Sequence, residues 1–308
     1  MSGPAQRLVG ILRSPTWPGT LERPAPRSRL GVDYPTNWAR RAPARFARCL
    51  LGDNVTRPLV HLLCAPKIEG LERLEHLDGP VIFAGNHASH LDTAIVLSCL
   101  PARFRHKAVV AAAADYFFDR HLKAATWAFA LGSIPIERNR VTRKSADLAA
   151  ELLGEGWSLI IFPEGGRSAD GWAQEFRGGA AYLARRCGVP IVPFHLRGTR
   201  PMLAKGSSMI RPGKVELRFG DALRGARSTQ RGERESDPRR FTARIEAAVA
   251  ALSDEAETDW WSARRRAASG TTPSLRGPDI APWRRSWVLP DSARNDGPRR
   301  RLGPSKPW

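Results

Sequence analysis

Between residues 67 and 219 the chain alternates two kinds of apolar pattern. Short apolar runs bounded by Gly, Pro or polar residues fall at 67–74, 81–84, 107–111, 133–136, 158–162, 191–196 and 215–219, and they read as β-strands. Between them, apolar positions recur at helical spacing over 91–100, 118–129, 142–153 and 180–187. Strands and helices in this alternation predict an α/β domain on a single, mostly parallel sheet flanked by helices. A polar stretch over 224–239 precedes an Ala-rich helix expected at about 241–252, so the domain is expected to span 67–253.

The flanks are patterned differently. Residues 1–35 are rich in Pro, Arg, Gly and Ser and read as an irregular arm. Within 36–66, a turn of about 100° per residue gathers Trp38, Ala42, Phe46, Cys49 and Leu50 on one side and Arg40, Arg41, Arg45 and Arg48 on the other. Such a basic amphipathic segment has two uses. It can lie in an anionic membrane surface, with its apolar face inserted and its arginines among phosphates, or it can pack on the domain. Pro43 is poorly tolerated inside a helix but well placed in a first turn, so the helix is expected to start there. Residues 254–308 turn polar and basic and read as an irregular tail. The tail holds Trp260, Trp261, Trp283, Trp287 and Trp308; tryptophan beside arginine suits a lipid headgroup interface or stacking on single-stranded nucleic acid. Trp260 and Trp261, next to the last helix, are expected to fold back as anchors. No run of 18 apolar residues occurs and no apolar stretch follows a basic start, so a soluble or peripheral protein is expected.

Composition narrows the classes. Of 308 residues 42% are hydrophobic, enough to fill a core, which argues against a disordered polymer. The formal charge is +19, and only seven of the 49 basic residues are lysine. The planar guanidinium fork suits phosphate or carboxylate, although an arginine-biased codon usage produces the same skew. Cys49, Cys64, Cys99 and Cys187 form no CxxC pair, so neither a zinc knuckle nor a disulfide framework is signalled, and a reducing compartment is expected.

Four segments carry candidate chemistry. Ala84-Gly85-Asn86-His87-Ala88-Ser89-His90-Leu91-Asp92 follows an apolar strand and precedes a helix, the position where α/β sheets hold ligands. On one ideal helix His87 and Asp92 would lie about 140° apart. With His87 in the preceding loop, Asp92 can fold beneath it and accept from one ring nitrogen, leaving the other free as a base. A histidine with an ordinary pKa near 6.5 suits proton abstraction from an alcohol. Two other readings of the segment are metal ligation by His87, His90 and Asp92, for which the spacing is uncommon, and a Ser89 nucleophile, for which the Gly-x-Ser-x-Gly elbow is absent. The second segment, 132–138, is a strand ending in Arg138, which can grip a phosphate bidentately. In the third, Phe162-Pro163-Glu164-Gly165-Gly166-Arg167-Ser168, the glycines let backbone N–H groups approach an anion, Arg167 adds charge and Glu164 can hold an Arg or a hydroxyl. The fourth is the apolar, proline-bearing strand Val189-Pro190-Ile191-Val192-Pro193-Phe194.

In this order the four segments resemble the blocks of the glycerolipid acyltransferase family, whose best-known members are 1-acylglycerol-3-phosphate acyltransferases. Asn86, His87, Ser89 and Asp92 stand at the positions of its NHxSxxD block, an H-x4-D motif, and 162–168 looks like its FPEGTRS block, with Gly166 where Thr is usual. Phe176-Arg177-Gly178-Gly179 resembles the short Phe-basic-x-Gly element that follows. The resemblance covers about residues 67–222. It implies His87 as general base and Asp92 as its orienter, direct attack of a glycerol hydroxyl on an acyl-CoA or acyl carrier protein thioester, no cofactor and no metal. It implies Arg138, Glu164, Gly165 and Arg167 as the site for the acceptor's phosphate, with Pro193 lining the acyl path. The expected function is acylation of a lysophosphatidate or related lysophospholipid in phospholipid biosynthesis, with attachment to the anionic inner face of the plasma membrane on the cytoplasmic side. Glycerol-3-phosphate is the alternative acceptor. In another class, a non-catalytic nucleic-acid-binding protein would use the charge and the tail tryptophans, though salt-dependent DNA binding is expected of any chain this basic and no specific nucleic-acid partner is expected.

Overall fold

The computed structural model describes residues 30–137, 143–168, 170–203, 207–225, 237–278 and 280. Arg138, the arm up to residue 29, and Trp283, Trp287 and Trp308 lie outside the described residues. Seven strands, β1 (Lys67–Glu69), β2 (Ile82–Gly85), β3 (Ala108–Ala113), β4 (Ser133–Ile136), β5 (Ser158–Ile161), β6 (Ile191–Arg197) and β7 (Glu216–Phe219), form one sheet in the order β1-β7-β6-β2-β5-β3-β4. Every pairing is parallel except β6 with β7.

Eight longer helices cover the sheet: α1 (Ala42–Leu51), α2 (Arg57–Cys64), α3 (Leu91–Cys99), α4 (His121–Leu131), α5 (Arg143–Gly154), α6 (Gly179–Cys187), α7 (Pro238–Glu257) and α8 (Trp260–Ser269). Successive strand residues point to opposite faces, so a sheet covered on both sides needs apolar residues at every position. β2 meets that demand with four buried residues in a row. Phe83 joins a core with Val60 and Cys64 of α2 and Ile95 and Val96 of α3. Ile82 and Ala84 join the opposite core, formed with α5, α6 and the Phe241, Ile245, Val249 stripe of α7.

The flanks differ from the sequence expectation in three ways. α1 does begin at Ala42 with Pro43 in its first turn, after a 3-10 turn at Asn37–Arg40. However, Arg48, placed by the periodicity with the exposed arginines, is buried and donates from Nη1 to the Ala39 carbonyl at 2.8 Å. Second, a π-type turn, Gly52–Thr56, carries the chain into the separate helix α2, which the pattern did not resolve. Phe46, Leu50, Val55, Leu59 and Leu62 of this paired segment face outward, Leu62 at 82% exposure. Third, the stretch after residue 254 is not irregular throughout. α7 runs to Glu257, and α8 docks on it through buried Ala263 and an Arg266–Asp254 ion pair of 2.8 Å. Trp260 and Trp261 are exposed rather than folded back, and Arg264 lies over the Trp260 ring.

β2 lies between β5 and β6, both of which come later in the chain. Its carboxyl end is therefore a place where connections diverge to either side, and in open α/β sheets such divergence leaves a crevice for ligand. Only glycine fits as the last residue of β2, since a Cβ on Gly85 would overlap the Phe194 ring of the neighbouring strand.

Candidate active site

The loop leaving β2 is tied down residue by residue. The Asn86 side chain pairs with β6 in both directions: its Nδ2 donates to the Leu196 carbonyl at 2.9 Å and its Oδ1 accepts from the Leu196 N–H at 2.8 Å. Ser89 is fully buried and donates to the Leu203 carbonyl at 2.9 Å. Asp92, in the first turn of α3 and fully buried, receives three donors on Oδ2: the Ala88 and Ser89 N–H groups at 2.7 and 2.8 Å, and His87 Nδ1 at 2.8 Å. Acidic side chains are favoured at a helix N-terminus, and here the same carboxylate orders the loop ahead of it. His87 sits in that loop, with its ring stacked on Phe162 at 4.1 Å between centroids.

The loop after β5 packs against the first. The Ser168 N–H donates to the His87 carbonyl at 2.9 Å. Glu164 is 1% exposed, and its carboxylate receives the His87 N–H on Oε1 at 2.7 Å and the Gln174 N–H on Oε2 at 2.8 Å. Burial pushes its carboxyl up to about 8, while the two amide donors hold it down.

Both loops border a cavity of about 440 Å³. Its buried lining is mostly apolar, including Val110, Ala112 and Phe162, with the hydroxyls of Thr93 and Ser133 among them and Trp127 and Leu131 of α4 alongside. Its less buried lining carries His87, Arg167, Gln174 and Arg177. His90 borders it too, stacked on Tyr116; burial first, then the charge of Arg167, lowers its pKa to about 4, so the ring is neutral near pH 7.

The residues singled out from the sequence are thus only partly brought together. His87, Gly165 and Arg167 line the cavity, with Asp92 behind His87. Glu164 is absent from the lining: it is 1% exposed, and each of its carboxylate oxygens receives a backbone N–H, so that it joins the two loops. The N–H of Gly165 donates inward to the Phe162 carbonyl at 3.0 Å rather than toward the cavity. Pro193 is absent from the lining: its ring packs beneath Gly220 beside Leu252 of α7. Three contributors escaped assignment. Arg177 was visible in the Phe-basic-x-Gly element and Phe162 in the third block, whereas Gln174 lies in a loop with no periodic or compositional signal. Among the described residues no cluster of three or more His, Cys, Asp or Glu could hold a metal.

Residues 65–197 match the Acyltransferase family model. This stretch is an acyltransferase-family domain. It carries both loops and the cavity lining, while α1, α2, β7, α7 and α8 fall outside it. Relatives agree with the assignment. The chloroplastic 1-acyl-sn-glycerol-3-phosphate acyltransferase LPAT1 of Arabidopsis thaliana is 32% identical over 52% of this chain and 44% of its own length. The corresponding BAT2 protein of Brassica napus is 31% identical over 52% of this chain and 46% of its own. The chain therefore spans less than half the length of these relatives. The crystal structure of the 1-acyl-sn-glycerophosphate acyltransferase PlsC from Thermotoga maritima superposes with a TM-score of 0.50 at 23% identity, covering 66% of this chain and 78% of that one. That likeness establishes the acyltransferase domain's fold: a mixed, mostly parallel seven-stranded sheet flanked by helices.

Proposed function

We propose that the protein moves a fatty acyl group from the thioester of acyl-CoA or acyl carrier protein to the free hydroxyl of a lysophosphatidate or related lysophospholipid. The observation that carries this reading is the His87–Asp92 pair at a cavity with a mostly apolar buried wall and arginines on its less buried side. The substrates divide the same way, into alkyl chain and phosphate. The names of the acyltransferase relatives point to the same acceptor.

Ionised Asp92 only accepts hydrogen bonds, so the proton between it and His87 belongs on Nδ1, and Nε2 keeps its lone pair. An acceptor hydroxyl beside Nε2 gives up its proton as its oxygen attacks the thioester carbonyl carbon. Asp92 stabilises the imidazolium so formed. Collapse of the tetrahedral adduct breaks the C–S bond, and the imidazolium returns the proton to the departing sulfur, leaving a new ester, a free thiol and neutral His87. Arg167 and Arg177 are the groups for the acceptor's phosphate, joined by Arg138 on the strength of the resemblance; with Gly166 in place of Thr, that contact rests on arginine rather than a hydroxyl. Glycerol-3-phosphate is the second reading, since the same arginines would serve it. The outward apolar faces of α1 and α2 favour an acceptor that stays in the bilayer. Those faces and the +19 charge also support peripheral attachment to the anionic cytoplasmic face of the plasma membrane. Among the described residues no helix is long and apolar enough to cross a membrane.

The test is release of free CoA thiol from palmitoyl-CoA, with and without lysophosphatidate, by wild type, His87→Ala and Asp92→Asn. Acceptor-dependent release should fall on the order of 10²- to 10⁴-fold in both variants. Release unchanged in His87→Ala would remove His87 as the base. No release by wild type with either donor, across lysolipids and glycerol-3-phosphate, would overturn the activity itself.

A further inference from the structure

Beyond α8 the chain turns at Gly270 and runs back across the domain to the loop at 170–176. This segment, 271–277, is far outside the acyltransferase match and yet reaches the neighbourhood of His87. Three contacts fasten it. The Leu275 carbonyl accepts from the Ala173 N–H at 3.0 Å. The Arg276 guanidinium forks onto Glu246 of α7, with Nε and Nη2 donating to its two carboxylate oxygens at 2.8 and 3.0 Å, and approaches Glu175 at 3.9 Å. Gly277, at φ +71°, lies against the Trp172 ring so closely that any Cβ there would overlap it. The loop at 172–175 is thereby held from outside the acyltransferase domain, with α7 as the anchor.

That loop is also held by the Trp172 N–H on Asp170 Oδ1 at 3.1 Å and, just after it, by buried Phe176, and it delivers one group of consequence. The Gln174 N–H is the second donor to Glu164, and the Gln174 side chain donates to the Arg167 carbonyl at 3.2 Å. Glu164 in turn receives the His87 N–H. A continuous chain of short contacts therefore runs from the 271–277 strap through Ala173, Gln174 and Glu164 to the backbone of His87.

We propose that residues 271–277 form a strap that positions the catalytic loop: by clamping 172–175 against α7, it places the Gln174 amide on Glu164, and Glu164 sets the backbone of His87. Arg276 and Gly277 are positioning residues that touch neither substrate nor His87. The strap is a part of the site that the sequence motifs do not contain. Positional errors near an ångström in a catalytic group cost up to about 10²-fold in rate, so such a clamp bears on turnover more than on substrate affinity. The kinetic part of this inference rests on the acyl-transfer reading; the structural part does not.

The experiment uses full-length protein carrying Arg276→Ala, Arg276→Lys or Gly277→Val, compared with wild type for kcat and KM toward lysophosphatidate and for amide hydrogen exchange of peptides covering 86–91, 171–176 and α6. Arg276→Ala and Gly277→Val should lower kcat roughly ten- to hundred-fold with KM little changed. They should also speed exchange at both 171–176 and 86–91, leaving α6 as in wild type. Arg276→Lys, which keeps a cation for Glu246, should recover most of the turnover. Faster exchange confined to 171–176, with His87 and kcat unaffected, would overturn the proposal, as would exchange accelerated equally in α6, which would mark general loosening. If wild type transfers no acyl group at all, the activity reading fails, while exchange at 86–91 still decides the strap.

Discussion

Burial has moved Glu164, in the loop after β5, and His195, on β6, in opposite directions. Glu164 is raised to about 8, chiefly by desolvation, and His195 on β6 is lowered to about 3, first by desolvation and then by the charges of Arg197 and Arg218. His195 Nδ1 has no hydrogen-bond partner among the described residues, so nothing there rewards a proton. A histidine depressed on folding contributes stability that is complete above its unfolded pKa near 6.5 and is lost as pH falls toward the folded value. The stability gap between wild type and His195→Asn, taken from denaturant midpoints, should therefore shrink by about 2 kcal/mol between pH 7 and pH 5, at about 1.4 kcal/mol per pH unit below 6.5. A gap that stays constant would mean that His195 gains a proton in the fold as easily as in water. At this scale the His87–Asp92 pair was legible in the sequence, because the two are five residues apart and strand, loop and helix follow in register. Glu164 was legible as a residue but not in its role: the sequence cannot count the two backbone N–H groups that occupy it, and one of them comes from Gln174, in an aperiodic loop.

All seven strands were expected as separate apolar runs, and each forms near its expected place, since a strand buried on both faces is marked simply by its apolar continuity. The run at 67–74 is the instructive exception. β1 stops at Glu69, and Glu72–Glu75 folds as a helical turn that buries Leu74. Leu71 and Leu74 are three apart, a helical spacing that a strand reading absorbs without notice. For α1 and α2, periodicity identified an apolar and a basic side but not which side faces the domain. Arg48 turned inward, and Phe46 and Leu50 turned out. The membrane role proposed for these helices therefore rests on their exposed residues, and it is separable from folding by mutation. Leu59→Ser with Leu62→Ser should leave the unfolding midpoint nearly unchanged, as exposed substitutions do, while lowering binding to anionic vesicles by roughly tenfold or more. Val60→Ala, on the buried side of α2, should lower the midpoint and spare vesicle binding. Equal vesicle binding by wild type and the double variant, measured by sedimentation, would show that this face does not enter the bilayer.

For the whole molecule, charge and apolar face should make separable contributions to that binding. The +19 is spread along the full chain and acts at a distance. Each basic residue near an anionic surface contributes about 1 kcal/mol within a Debye length, which shrinks from about 10 Å at 0.1 M salt to about 3 Å at 1 M. The α1–α2 face acts only on contact, and the burial of its leucines does not weaken with salt. Wild type should then sediment with vesicles containing a quarter anionic lipid at 0.1 M salt and be released only in part at 1 M, whereas the Leu59, Leu62 double serine variant should be released completely at 1 M. Zwitterionic vesicles should retain wild type weakly and with little salt dependence, through the apolar face alone. Binding to both vesicle types that is equal and indifferent to salt would assign attachment wholly to insertion and leave the charge without a part in it. Complete release of wild type at 1 M would do the reverse, reducing the exposed leucines to bystanders of an electrostatic association. The partial release expected here requires that the outward turn of α1 and α2 and the arginine-rich composition act on the same surface, bringing the His87 cavity to the lipid it would acylate.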